Sequence, residues 1–282
     1  MKNANLPSPE IGTRFGTQLT VLGVIDGRRK RPVYIAWHAG MGCHVACKVL
    51  RSGQQARHEA KILASVAHPY IVRSFGIHAS RYLVLEFLEG PTLAQVLDSK
   101  PRGRLPVPDA LRVALHLTAA LTHVHKCGFY HMDVKPTNVI VARGRPILFD
   151  FGGARPSHAK RPQQLYGTED YMSPEECLRL PITAAADVFS LGVTLYEILT
   201  GDLPFRETTK EEEYPQINES AVPLRQHRTL SPQLEKLVLK CLSRDPAARP
   251  TLQALAPALN ELIEAGPKMW PAGFNPYAPS SA

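Results

Sequence analysis

Three observations predict an α+β chain of two lobes, a small β-rich one and a larger α-helical one. Short β-branched and aromatic runs separated by glycine turns occupy the stretch from Phe15 to about Glu86. Beyond Gly90 the apolar period becomes helical. The length, 282 residues, suits two domains or one large one, and a change from strands to helices at a single place marks two lobes with a short connector.

In chain order, residues 1–14 read as an N-terminal extension and 15–88 as the small lobe, 89–265 as the large lobe, and 266–282 as a proline-rich flexible tail. Within the small lobe, Pro32-Val33-Tyr34-Ile35-Ala36-Trp37 and Tyr82-Leu83-Val84-Leu85 carry strand-forming residue types. One helix interrupts them: Glu59, Ile62, Leu63 and Val66 recur at i, i+3, i+4 and i+7 before the His68-Pro69 stop. The connector is Glu86-Phe87-Leu88-Glu89-Gly90, and a cleft is expected beside it. In the large lobe Val113, Leu117, Ala120, Leu121 and Val124 mark one helix, with others over 188–199 and 234–242.

Lysine and arginine total 33 against 25 acidic residues, a net charge of +8, and the pI is near 9.3. Such a balance admits nucleic acid, membrane surfaces or acidic partners, and only local clustering chooses among them. The one dense cluster, Arg28-Arg29-Lys30-Arg31, is too short for a nucleic-acid groove; it suits a solvated hairpin or an acidic partner, and no nucleic acid is expected. Cys43, Cys47, Cys127, Cys177 and Cys241 form no CxxC pair, which fits free thiols in a reducing, cytoplasmic compartment. No uncharged apolar run approaches the ~18 residues of a membrane span. His38, Cys43, His44 and Cys47 are metal-ligand types, but no second half-site follows them and zinc is not expected.

The chemistry concentrates in two segments. His131-Met132-Asp133-Val134-Lys135-Pro136-Thr137-Asn138 sets an aspartate, a lysine and an asparagine in an irregular stretch. A carboxylate there can accept a hydroxyl proton, and an amide oxygen can ligate a hard cation. Asp150-Phe151-Gly152, after the apolar run Pro146-Ile147-Leu148-Phe149, offers a second cation carboxylate.

Together with Val45-Ala46-Cys47-Lys48, and in this order and spacing, these segments resemble the eukaryotic-type protein kinase family, serine/threonine group, over roughly Phe15 to Ala265. The resemblance implies a kinase fold that uses ATP and Mg²⁺ on protein substrates. By that likeness Lys48 holds the nucleotide phosphates and Glu59 is its helix partner. Asp133 is the base, Lys135 supports the transferring phosphate, and Asn138 and Asp150 are magnesium ligands. Gly23 and Gly27 belong to the phosphate loop. Val33 and Ala46 above and Ile140 below flank adenine, with Glu86 and Leu88 offering backbone hydrogen bonds and Leu85 at the rear. Gly167-Thr168 and Ser173-Pro174-Glu175 resemble the peptide-seating segment, Asp187 with Ser190-Leu191-Gly192 the central helix of the large lobe, and Arg249 the partner of Glu175.

Three features depart from that pattern. Val33 follows Gly23 by ten residues, three more than the family spacing, and the four basic residues of the loop are expected to replace amide contacts with charge. Met132 stands where many members carry arginine, so basal activity is not expected to need activation-segment phosphorylation. The interval from Lys48 to Glu59 is eleven residues and leaves little helix before Glu59. The leading reading is a serine/threonine kinase. The alternative is a pseudokinase scaffold whose atypical loop weakens nucleotide binding; a small-molecule kinase conflicts with the peptide-seating segment.

Overall fold

Alternation of side chains across paired strands builds the first lobe. This computed structural model describes residues 10–15, 17–26, 32–50, 52–158, 167–205 and 214–264. Strands β1 (Arg14–Phe15), β2 (Leu19–Asp26), β3 (Val33–His38), β4 (Cys43–Val49), β5 (Ser74–His78) and β6 (Tyr82–Glu86) form one antiparallel sheet in the order β1-β2-β3-β4-β6-β5. Helix α1 (Gly53–Ser65) lies between β4 and β5 in sequence.

Register decides which residues face the cleft. Tyr34 opposes Cys47 and Ala36 opposes Val45, and these four join Leu19, Val21 and Val84 in a small buried cluster on one face. Their neighbours Val33 and Ile35 oppose Lys48 and Ala46 on the other face, because successive strand residues point to opposite sides. Ser52 caps α1 by accepting the Gln55 amide at 3.2 Å, and Ala56, Glu59, Ile62 and Leu63 form its buried stripe. Six helical residues therefore precede Glu59, more than the short spacing suggested.

The second lobe holds α2 (Leu93–Asp98), α3 (Val107–Lys126), β7 (Phe129–Tyr130), β8 (Val139–Ala142), β9 (Arg145–Leu148), β10 (Arg155–Pro156), α4 (Pro174–Cys177), α5 (Ala185–Thr200), α6 (Pro215–Asn218), α7 (Pro232–Cys241) and α8 (Leu252–Glu264). The helical periods expected over 113–124, 188–199 and 234–242 become α3, α5 and α7. Apart from Ala185 and Glu197, every residue of α5 is buried, so this helix is the lobe's axis and its sequence is apolar on all sides. Gly201 ends it at φ 86; a Cβ there would lie 2.0 Å from the Arg102 carbonyl oxygen.

One core runs through both lobes, from Leu50, Ile62 and Leu83 to Leu117, Phe189 and Leu259. The lobes are also stitched by backbone: Val72 donates to the Leu148 carbonyl at 3.0 Å, and Leu148 to that of Tyr70 at 2.9 Å. Gly23 to Asp26, the first part of the stretch read from the sequence as the phosphate loop, lie in β2, with register shifts between Val21 and Gly23 and between Val24 and Asp26. Gly27 and the cluster Arg28–Arg31 fall outside the described residues, as does the 266–282 tail.

Candidate active site

Lys48 ends the cleft-facing row of β4, and α1 delivers Glu59 to it. The Lys48 ammonium donates to Glu59 Oε1 and Oε2 at 2.7 and 2.9 Å and to Asp150 Oδ1 at 2.7 Å. The Lys48 and Glu59 side chains are only 9% and 2% exposed, which excludes an ordinary surface ion pair. Burial works against the Lys48 charge, yet the two carboxylates outweigh it and raise its pKa above the usual lysine value. Burial alone would likewise raise the Asp150 carboxyl, but the Lys48 ammonium and the Gly152 amide hold it down at about 2. Asp150 is therefore an anion at neutral pH, left-handed at φ 63, with its second oxygen available to a cation.

Asp187, at the start of α5, organises the other half of the site. Its carboxylate is buried and accepts His125 Nε2 at 2.7 Å, the His131 amide at 2.8 Å and the Met132 amide at 2.8 Å. These bonds hold Met132 at φ 68, with its side chain buried, and so aim Asp133 toward the cleft. Asp133 meets Lys135 Nζ at 2.9 and 2.8 Å, and Asn138 Nδ2 donates to Asp133 Oδ2 at 2.7 Å and to its backbone oxygen at 2.8 Å. Thr168 Oγ1 donates to Asp133 Oδ1 at 3.3 Å and also accepts from Lys135. Gly167 is required beside it, since at φ 111 an added Cβ would sit 2.8 Å from the Met132 carbonyl oxygen.

The two halves adjoin through Gly152-Gly153. A Cβ on Gly152 would lie 3.5 Å from Glu59 Oε2 and 3.8 Å from Lys48 Nζ, while one on Gly153 would lie 3.9 Å from Asp133 Cβ. With both amide hydrogens of Asn138 directed at Asp133, its amide oxygen is the atom left to ligate. One carboxylate and one amide oxygen fit Mg²⁺, which keeps waters and phosphate oxygens rather than a full protein cage. No cluster of three or more His, Cys, Asp or Glu ligands occurs among the described residues.

The residues expected to flank the nucleotide are placed as follows. Val33 and Ala46 share the Lys48 face of the sheet, Leu85 opposes Ala46 in register, and Ile140 on β8 and Leu88 in the connector pack partly buried against the main core. Glu86 closes β6 with its side chain exposed. Gly23 opposes Ile35, and Gly27 lies outside the described residues.

Further out, Arg249 makes the expected buried, bidentate pair with Glu175, at 2.6 and 2.8 Å, and stacks over Phe189 at 4.9 Å. One contact had no sequence signal, and a second carries one, the Ser173-x-x-Glu176 capping box. His58, one residue before Glu59 on α1, places Nε2 3.1 Å from the Ala154 carbonyl oxygen, tying the helix to the start of the activation segment. Glu176 caps its own helix by accepting the Ser173 amide and hydroxyl at 3.0 and 2.8 Å, and burial pushes its carboxyl up to about 8.

Comparison with known proteins identifies the family and the fold. A family model described as protein kinase domain matches residues 31–258. The chain is 31% identical over 240 residues to serine/threonine-protein kinase PknB of Mycolicibacterium smegmatis, which covers 77% of this chain and 38% of that protein. It is 34% identical over 276 residues to serine/threonine-protein kinase pkn2 of Myxococcus xanthus, covering 84% of this chain and 32% of that one. The chain thus spans well under half the length of these curated relatives. The PknI kinase domain of Mycobacterium tuberculosis superposes with a TM-score of 0.70 at 24% identity, over 90% of this chain and 98% of that one, and shares the fold.

Proposed function

Because the chain belongs to the protein kinase family, we propose that it transfers the γ-phosphate of MgATP to serine and threonine hydroxyls of protein substrates. The observation that carries this reading is the pairing of two charge clusters across one cleft: Lys48-Glu59-Asp150, and Asp133-Lys135-Asn138 with Thr168.

Phosphoryl transfer asks little covalent chemistry of the protein and much positioning of charge. Lys48, fixed by Glu59, presents an ammonium for nucleotide phosphates. Asp150 and Asn138 would hold the metal, which when bound would neutralise charge building on the phosphate oxygens. Asp133 accepts the proton of the attacking hydroxyl, and Lys135 beside it supplies a cation to the phosphate in flight. Thr168 already places an aliphatic hydroxyl on Asp133, so this base is within reach of a serine or threonine side chain.

The test is autophosphorylation and phosphorylation of a generic serine/threonine substrate by the purified chain with MgATP, beside Asp150→Asn. Transfer is expected from the wild type and lost in the variant. A folded wild type that binds MgATP without transferring phosphate to either acceptor overturns the proposal.

A further inference from the structure

Behind the connector lies a groove of about 840 Å³ that contains none of Val33, Ala46, Lys48, Asp133, Asn138 or Asp150. It runs between the C-terminal end of α1 and the β8–β9 hairpin, with Glu86-Phe87-Leu88-Glu89 as its third side. Its size is that of a ligand site. Its walls are mixed in a specific way. Ala64, Ala67 and Pro69 present exposed apolar surface over a floor that includes buried Ile71 and Ile147.

Three arginines rim it. Arg73 precedes β5, Arg143 is the first residue of the two-residue hairpin turn, and Arg145 opens β9 just after it. Arg143 at φ 50 and Gly144 at φ 74 give that turn the geometry favoured by tight hairpins, so the two guanidinium stems project from rigid backbone. All three residues are exposed, and none meets a carboxylate among the described residues. Unpaired guanidiniums beside a concave apolar floor match carboxylates carried on an apolar backbone segment. Glu86 and Glu89 on the opposite wall would repel a continuous polyanion, which disfavours nucleic acid. The chain's own 265–282 segment is no match, because it contains Lys268 and no acidic residue.

We propose that this groove docks an acidic, apolar-containing peptide segment of a partner protein, its carboxylates on Arg73, Arg143 and Arg145. Binding there is separate from phosphate transfer and is read without nucleotide, so its failure and that of the kinase reading are distinguishable.

The experiment probes an array of peptides combining aspartate or glutamate with leucine and phenylalanine, using the whole chain, then measures Kd for the best binder by fluorescence anisotropy. The triple variant Arg73→Glu, Arg143→Glu, Arg145→Glu is expected to bind at least ~10-fold more weakly, and added salt to weaken the wild type. Saturating MgATP should leave Kd unchanged. Ala67→Trp, which fills one wall and keeps all three charges, should also weaken binding, and this keeps the test open if the triple variant misfolds. Both variants should retain wild-type phosphate transfer to a generic peptide. The proposal is overturned if no acidic peptide separates wild type from both variants, or if a single-stranded oligonucleotide binds more tightly and is lost in the same variants.

Discussion

The Met132 amide donates to Asp187 Oδ1 at 2.8 Å across fifty-five residues of sequence, and this bond fixes the left-handed turn from which Asp133 projects. Asp187 is fully buried, and its oxygens serve two backbone amides and His125. Its pKa is lowered: burial opposes the charge, but the His125 bond and the amides prevail. Asp187→Asn replaces one acceptor with a donor and leaves one of the two buried amides unpaired, at roughly 1–3 kcal/mol. The expected result is a folded protein with kcat lowered by ~10² or more and ATP affinity little changed, since the Lys48 half of the site is untouched. Titration with a nucleotide analogue beside initial-rate kinetics checks the split.

Lys48→Met should slow transfer by at least ~10²-fold. It should also destabilise, because Glu59 is then a buried carboxylate without its ammonium; breaking such a pair costs about 3–5 kcal/mol. Lys48→Met with Glu59→Gln is expected to regain most of that stability in chemical denaturation and none of the activity. Recovery of turnover in the double variant would mean that Lys48 acts only to neutralise Glu59.

His58 and Met132 bear on regulation together. Met132 is buried and cannot pair with a phosphate, while His58 already ties α1 to Ala154. Lys160 and Arg161, which the sequence sets near Ser157, lie outside the described residues. Phosphatase-treated protein should therefore keep its initial rate on an external substrate, and His58→Ala should lower it. A tenfold loss on phosphatase treatment, relieved by preincubation with ATP, would show that the switch operates without an arginine at 132.

Glu176 predicts a pH signature. Its carboxyl rises from 4.5 to about 8 on folding, through burial first, so the folded state holds a proton that the unfolded chain releases. Its contribution to stability is present below the unfolded pKa and is lost as pH rises through 4.5 toward 8. Melting temperature should fall more steeply across that window in wild type than in Glu176→Gln, by an amount on the order of a few kcal/mol in stability. Parallel slopes for the two proteins would show that Glu176 does not titrate there.

The sequence alone determined the two lobes, the connector and the residue types of the site, since strand alternation, helical period and short motifs are local properties. Ala46 and Lys48 share one face because strand period is two, and that is legible without a fold, whereas Val33 joins them only through the β3–β4 register. Tertiary structure decided what each residue meets. That Asp187 holds Met132, that His58 reaches Ala154, and that Gly167 lies against the Met132 carbonyl all depend on contacts between distant segments. It also decided which exposed arginines share a groove: Arg73 and Arg145 are seventy-two residues apart in sequence and meet only because Val72 bonds to Leu148, three residues after Arg145. Residue type fixes what a side chain can do, but the closure of long loops fixes which partners it finds, and no local pattern encodes that geometry.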